Sequence, residues 1–187
     1  MSRAEEHGAK HVEAARTGLE GASGPVLDLG CGEGIFAGVS KAYVGIDISW
    51  ESARKVPRGV VADLARLPFR DAVAGGALLV NALHATADPR RVLEELARVL
   101  GPGGRAYVKN DWYKSPYGRG AVLRRELSRA CRRLVYLFHR ILSPGRFVAR
   151  ATGRGVAICP HCALAVLRGC GLDARFKGRY GIVARRS

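Results

Sequence analysis

Val26-Leu27-Asp28-Leu29-Gly30-Cys31-Gly32-Glu33-Gly34 is the stretch that decides the fold. A short apolar run, preceded by Pro25 and followed by glycines, reads as a buried parallel strand. The chain must then turn sharply, and glycines permit positive φ and the close approach of a ligand. The spacing is G-x-G-x-G, so the third glycine falls one residue earlier than in the dinucleotide fingerprint G-x-G-x-x-G. The Gly-Lys-Ser/Thr of a P-loop is absent. The loop therefore suits a nucleoside-like ligand and carries no sign of phosphate binding.

Outward from this loop, strand-like and helix-like runs alternate. Tyr43-Val44-Gly45-Ile46 is a second apolar run ending at Asp47, and Val60-Val61-Ala62 a third ending at Asp63. A fourth run, residues 77–80, ends at Asn81, and a fifth covers 105–109. Residues 35–39 could begin a helix, although only 34–41 are available for that first crossover. Ser49 can cap a helix over 50–56, with Glu51 in its first turn. Asp88 followed by Pro89 is a helix start. Val92, Leu93, Leu96, Val99 and Leu100 recur at helical spacing until Gly101-Pro102-Gly103-Gly104 stops the helix. This alternation predicts right-handed βαβ units in a parallel, doubly wound sheet. At the end, a short helix over 163–168 precedes two runs, 172–177 and 180–184, whose separation suggests a hairpin. A further helix is expected over 3–20.

Ligands of doubly wound sheets sit at the carboxyl ends of the strands. There, Asp47 could accept both hydroxyls of a ribose and Asp63 the amino group of an adenine. A ribose and an adenine without a phosphate fit S-adenosylmethionine.

The strings VLDLGCGEG, VGIDIS, VADLARLPF and LEELARVLGPGGRAYV, within residues 25–109, resemble the class I S-adenosylmethionine-dependent methyltransferases, in the ubiquinone/menaquinone-type branch. The resemblance implies an α/β, Rossmann-like sheet of order 3-2-1-4-5-7-6 with the last strand antiparallel. It implies that Gly30, Cys31, Gly32 and Gly34 line the methionine moiety and that Asp28 supports its amino group, directly or through water. Asp47 would hold the ribose, Ile48 would lie against the adenine, and Asp63 and Leu64 would read the adenine edge. Asn81 would face the methionine portion and the substrate mouth. The N-terminal helix would help cover the cofactor, given the short first crossover.

Methyl transfer needs a base only if the nucleophile still holds its proton at attack. His84, just past the fourth strand, is the candidate catalytic residue. No Asn-Pro-Pro-Tyr or Asp-Pro-Pro-Tyr string is present. His7 and His11, four apart on the first helix, fit a solvated face, with the active-site mouth as the alternative. Cys159-Pro160-His161-Cys162 has zinc-like spacing but no second matching pair, so no metal site is assigned and buried thiols are expected.

The chain of 187 residues is expected to form a single domain, with 111–160 as a basic insertion or lid after the fifth strand. In that insertion a helix is expected over 121–142. It is apolar at Leu123, Leu127, Leu134, Leu137 and Ile141, and basic at Arg125, Arg129, Arg132, Arg133 and Arg140. Trp112, Tyr113 and Tyr117, interleaved with Lys109, Lys114 and Arg119, could stack a ring or a base. Charge is split unevenly along the chain. Residues 1–100 hold 12 Lys+Arg against 13 Asp+Glu, and residues 101–187 hold 19 against 3. Such a split suits an anionic partner or a solvated basic face.

Two substrate classes remain open: a small or amphiphilic molecule, and RNA held along 112–154. A non-catalytic, cofactor-sensing RNA-binding module is a third reading. No 18-residue apolar stretch and no secretory h-region is visible, and the five cysteines are scattered. A cytoplasmic protein with no transmembrane span is expected.

Overall fold

The computed structural model describes residues 3–110, 149–152, 155–158, 160–178 and 181–187. β1 (Val26–Leu29) is buried at all four positions. It lies between parallel neighbours β2 (Tyr43–Asp47) and β4 (Ala74–Val80). β3 (Val60–Val61) pairs with the outer side of β2, and β5 (Leu100–Lys109) with β4, both parallel. A second, antiparallel pair, β6 (Ala149–Thr152) and β7 (Gly155–Ile158), stands apart from this sheet. β9 (Gly181–Arg186) runs antiparallel to both β5 and β8 (Leu172–Lys177). The main sheet thus has the order β3-β2-β1-β4-β5-β9-β8. With the separate β6–β7 pair set aside, this is the expected 3-2-1-4-5-7-6, with its final strand antiparallel.

Side chains of β1 alternate between two cores. Leu27 and Leu29 join Leu79, Val92, Leu93, Leu96, Leu164 and Leu167, beneath α3 (Pro89–Val99) and α4 (Pro160–Gly169). Val26 and Leu78 face the other way, with Tyr43, Tyr107 and the α1 (Arg3–Gly18) residue Ala15. Strand alternation puts Asp28 on this second face.

The first crossover corrects one expectation. Residues 35–39 form no α-helix; only a 3-10 turn, Ala37–Val39, is present. With Gly34 and Gly38 inside eight residues, a helical nucleus has no room to repay its cost. Ala15 of α1 and the adjoining Leu19 fill the sheet face that a crossover helix would cover, and Arg16 donates to the Gly38 carbonyl at 3.2 Å. Other boundaries moved as well. α2 (Trp50–Ala53) is shorter than expected, although Ser49 caps it by accepting from the Ser52 amide. β4 starts at Ala74, and Gly101–Gly104 lies within β5 instead of forming a bare helix stop. In both, the ladder between β4 and β5 overrides weak local propensity, with a register shift between Ala74 and Gly76.

α3 begins as its sequence predicts. Asp88 accepts from the Arg91 amide at 3.0 Å, with Pro89 in the first turn. Glu95, three residues after Val92, turns inward and is 3% exposed. Its carboxylate accepts from the Leu67 amide (2.8 Å) and from Arg98 Nε and Nη2 (2.8 and 2.7 Å). Arg98 in turn donates to the carbonyls of Leu67 and Phe69 and to Asp71. The Arg98 bonds hold Glu95 below the usual carboxylate range. This knot ties the segment after β3 to α3. Removing the half-buried Arg98 would strip the buried Glu95 of charged donors worth about 1.5–3 kcal/mol each.

The expected helix over 121–142, its arginine face and the aromatics Trp112, Tyr113 and Tyr117 lie outside the described residues. No helix among the described residues is long and apolar enough to cross a membrane.

Candidate active site

The glycine loop leaves β1 at its carboxyl end. The amides of Gly30 and Cys31 both donate to the Ile46 carbonyl, at 2.8 and 3.0 Å, so the loop starts anchored to β2. Asp47, the last residue of β2, holds the rest. Its Oδ2 accepts from the Gly32 amide at 3.0 Å and its Oδ1 from the Ser49 amide at 2.9 Å. Gly32 has φ +49, and a side chain built there would meet nothing within 4 Å. Gly30, at φ +84, differs: a Cβ there would lie 2.3 Å from Ala82 Cβ. Gly30 is thus a packing requirement, whereas Gly32 leaves a backbone surface bare.

Asp28 sits beneath this loop and is 1% exposed. Tyr43, on the adjacent strand, donates its hydroxyl to Asp28 Oδ2 at 2.7 Å. Burial pushes the Asp28 carboxyl up to about 6, against the pull of the Tyr43 bond and with help from the Asp47 charge. Tyr43 is itself raised well above the ordinary phenol range, by burial and then by Asp28. Cys31 is buried, and its thiol is pushed up to about 11, chiefly by burial and then by Asp28 and Asp47. It lines the loop as a protonated, weakly polar group.

Three large apolar side chains stand open on the segments flanking the loop: Ile35, Ile48 and Trp50, with Ile48 74% exposed. Asp63 is brought near by the Ala62 amide, which donates to the Asp47 carbonyl at 3.0 Å. Asp63 Oδ1 accepts from the Ala65 amide, while the Leu64 side chain is buried in the core.

The second half of the site lies beyond β4 and β5. Asn81 has φ +54, and its amide donates to the Lys109 carbonyl at 2.8 Å. Its side-chain Oδ1 is buried and has no hydrogen-bond partner among the described residues. A short turn, Leu83–Ala85, then carries His84, whose Nδ1 lies 3.1 Å from Oδ1 of the buried Asn110. β7 packs against this turn. His11 corrects another expectation. It does not lie on a solvated face; it is 9% exposed, and Lys109 Nζ sits 2.6 Å from its Nδ1. Lys109 ends β5, so α1 reaches the same edge of the sheet. The side chain of His7 lies outside the described residues.

The structure therefore gathers Gly30, Cys31, Gly32, Asp28 and Asp47 at one edge, with Asn81 and His84 beside them after β4. Tyr43 and Asn110 went unread in the sequence, and His11, read first as surface, takes the alternative placement at this edge through its contact with Lys109. Their roles depend on strand register and on contacts up to 98 residues apart. Among the described residues no group of three or more His, Cys, Asp or Glu side chains could hold a metal ion.

Residues 27–108 match the methyltransferase domain family. That match runs from β1 to β5. An O-methyltransferase of Penicillium expansum is 36% identical over 117 residues, covering 54% of this chain and 42% of that protein. A demethylmenaquinone methyltransferase of Mycobacterium tuberculosis is 44% identical over 57 residues, 30% of this chain and 24% of that enzyme. The chain thus spans less than half the length of either relative. A solved Thermotoga maritima structure, described as an S-adenosylmethionine-dependent methyltransferase and possible histamine N-methyltransferase, superposes with a TM-score of 0.63. It is 20% identical and covers 96% of this chain and 88% of its own, a likeness of fold. Within the matched residues, the glycine loop, Asp47 and Asn81 all lie at the carboxyl edge.

Proposed function

We propose that the chain is an S-adenosylmethionine-dependent methyltransferase acting on a small or amphiphilic molecule by in-line transfer. The observation that carries this reading is the bare Gly32 backbone, held open at φ +49 by the Asp47 carboxylate. The orphaned Asn81 Oδ1 supports the fit, because a buried acceptor without a donor is costly unless a ligand supplies one.

When bound, the cofactor supplies an electrophilic methyl group on a sulfonium. Gly30, Cys31, Gly32 and Gly34 would line its methionine moiety. Asp28 would support the ammonium group, directly or through water, and that positive charge would keep the buried carboxyl ionised. Asp47 would accept the ribose hydroxyls while keeping both amide bonds, since a carboxylate offers about four acceptor sites. Ile48 would cover the adenine, and Asp63 with the Leu64 backbone would read its edge. Asn81 would accept from the methionine portion or the substrate. His84 would take a proton from the nucleophile.

The same reading treats residues 1–187 as one domain, with 111–160 covering the substrate side, and assigns it no metal. It places the protein in the cytoplasm, in keeping with Cys31 and Cys170, neither of which is in a disulfide. The concentration of positive charge after residue 100 favours one second reading, an RNA substrate tracked by the basic segment. A radiolabelled methyl-transfer assay against metabolite pools, lipid extract and total RNA in parallel tests both. Label in the metabolite or lipid fraction supports the first reading. Label in RNA alone replaces it with the second, and no label in any fraction overturns both.

A further inference from the structure

We infer that Asn110 is a positioning residue that holds His84 as its Nδ1–H tautomer, leaving Nε2 as the proton acceptor at the substrate mouth. The catalytic meaning rests on the methyltransferase reading above; the tautomer does not.

An amide oxygen only accepts hydrogen bonds. With Asn110 Oδ1, and not its amide nitrogen, 3.1 Å from His84 Nδ1, the ring nitrogen is the donor; the opposite amide orientation would reverse the tautomer. A neutral imidazole carries one N–H, so the lone pair then lies on Nε2. Both partners are held in place. Asn110 is 1% exposed and directly follows Lys109. The Lys109 carbonyl accepts from the Asn81 amide at 2.8 Å, and its ammonium lies against His11. His84 sits in a turn closed by the Ala85 amide on the Ala82 carbonyl (3.0 Å) and by the Thr86 hydroxyl on the Leu83 carbonyl (2.9 Å).

The partner's neutrality has a consequence. A carboxylate at position 110 would orient the ring and also favour the imidazolium, which cannot take a proton. An asparagine orients the ring without that charge. The proton of a substrate O–H or N–H can then pass to Nε2, making His84 the imidazolium, which later releases it to solvent. A nucleophile with a proton to lose, a hydroxyl or amine, is the substrate class that uses such a group.

The test is long-range proton–nitrogen NMR on the full chain with labelled histidine, well above the ordinary histidine pKa of about 6.5. The native protein should show His84 Nδ1 protonated and Nε2 bare. Asn110→Ala should release the ring towards a mixture of tautomers, and Asn110→Asp should restore Nδ1–H. A native His84 protonated at Nε2 overturns the assignment without any variant having to fold. On activity, Asn110→Ala should lower kcat by about tenfold or more, within the range of general-base contributions. Cofactor affinity should hold. A released tautomer with kcat unchanged overturns the positioning role. A native chain that shows the Nδ1–H tautomer but labels no pool sinks the methyltransferase reading and leaves the tautomer standing.

Discussion

At the carboxyl ends of β1 and β2, the polar groups of the loop satisfy one another. Gly30 and Cys31 amides meet the Ile46 carbonyl, and Gly32 and Ser49 amides meet the two oxygens of Asp47. At the carboxyl ends of β4 and β5, the bookkeeping is left open. Among the described residues, Asn81, in a left-handed conformation, keeps a buried oxygen unpartnered, and the His84 ring meets the neutral Asn110 amide. On the proposed function, the first edge would be built before any ligand arrives and the second would be completed by one. That difference is what a common cofactor and a variable substrate require. The binding energy for the shared molecule would then be preorganised, and the unpartnered polar groups would face the part that changes.

The largest effect should come from the residue that joins the two edges. Gly30→Ala places a methyl group 2.3 Å from Ala82 at φ +84. Overpacking and the left-handed backbone together should cost about 3 kcal/mol or more, read in urea unfolding. Gly32→Ala, at φ +49 with open space, should cost only about 1–2 kcal/mol, yet weaken cofactor binding. Equal destabilisation by the two would erase the distinction between a packed glycine and a bare one.

Next comes the buried carboxyl of the first edge. Asp28 rests at about 6 in the folded chain, above its ordinary 3.8. The folded state therefore keeps this proton to higher pH than the unfolded one. The associated stability is full below about pH 4 and is lost as pH rises through about 6, on the order of 3 kcal/mol. Asp28→Asn should remove this slope, and the difference between native and variant unfolding curves isolates it from Glu95, which titrates in the opposite sense. Cofactor affinity of the native chain should fall as pH drops through about 6. A difference curve flat with pH would place Asp28 in contact with water.

The edge at β1 and β2 was legible in the sequence because its signals are local. A G-x-G-x-G loop after an apolar run and an acidic residue ending each of the next two strands need no knowledge of distant partners. The Asp88-Pro89 helix start is of the same kind. The sheet order followed from resemblance more than from pattern. The edge at β4 and β5 was legible only as positions after strands. Asn81 and His84 could be placed there, but Asn110 gave no signal beyond a polar residue closing an apolar run. Tyr43 meets Asp28 across a register that no single strand reveals. His11 reads as surface until α1 is laid over the sheet in place of a crossover helix. Glu95 did leave a trace, an acid at the inward spacing of Val92 and Val99, which is the mark of a paired buried carboxylate.

The smallest effect sharpens the comparison from the other side. Asn81→Gly relieves the positive φ and deletes the orphaned oxygen. Against the added chain entropy of glycine, a net stabilisation of about 1 kcal/mol is expected, with weaker ligand binding. Thermal unfolding and cofactor titration of the variant check both halves. A destabilised variant with unchanged binding would make Asn81 an ordinary turn residue.

The central claim, that the Asp47-stapled loop is an S-adenosylmethionine site, is tested most directly by calorimetric titration of the native chain and of Asp47→Ala with that cofactor. The account predicts one site per native chain. For the variant, still cooperatively folded, it predicts affinity about 10- to 150-fold lower, the loss of about 1.5–3 kcal/mol that goes with removing a charged acceptor. A folded native chain that takes up no S-adenosylmethionine, or a variant that binds it as tightly as the native chain, would contradict it.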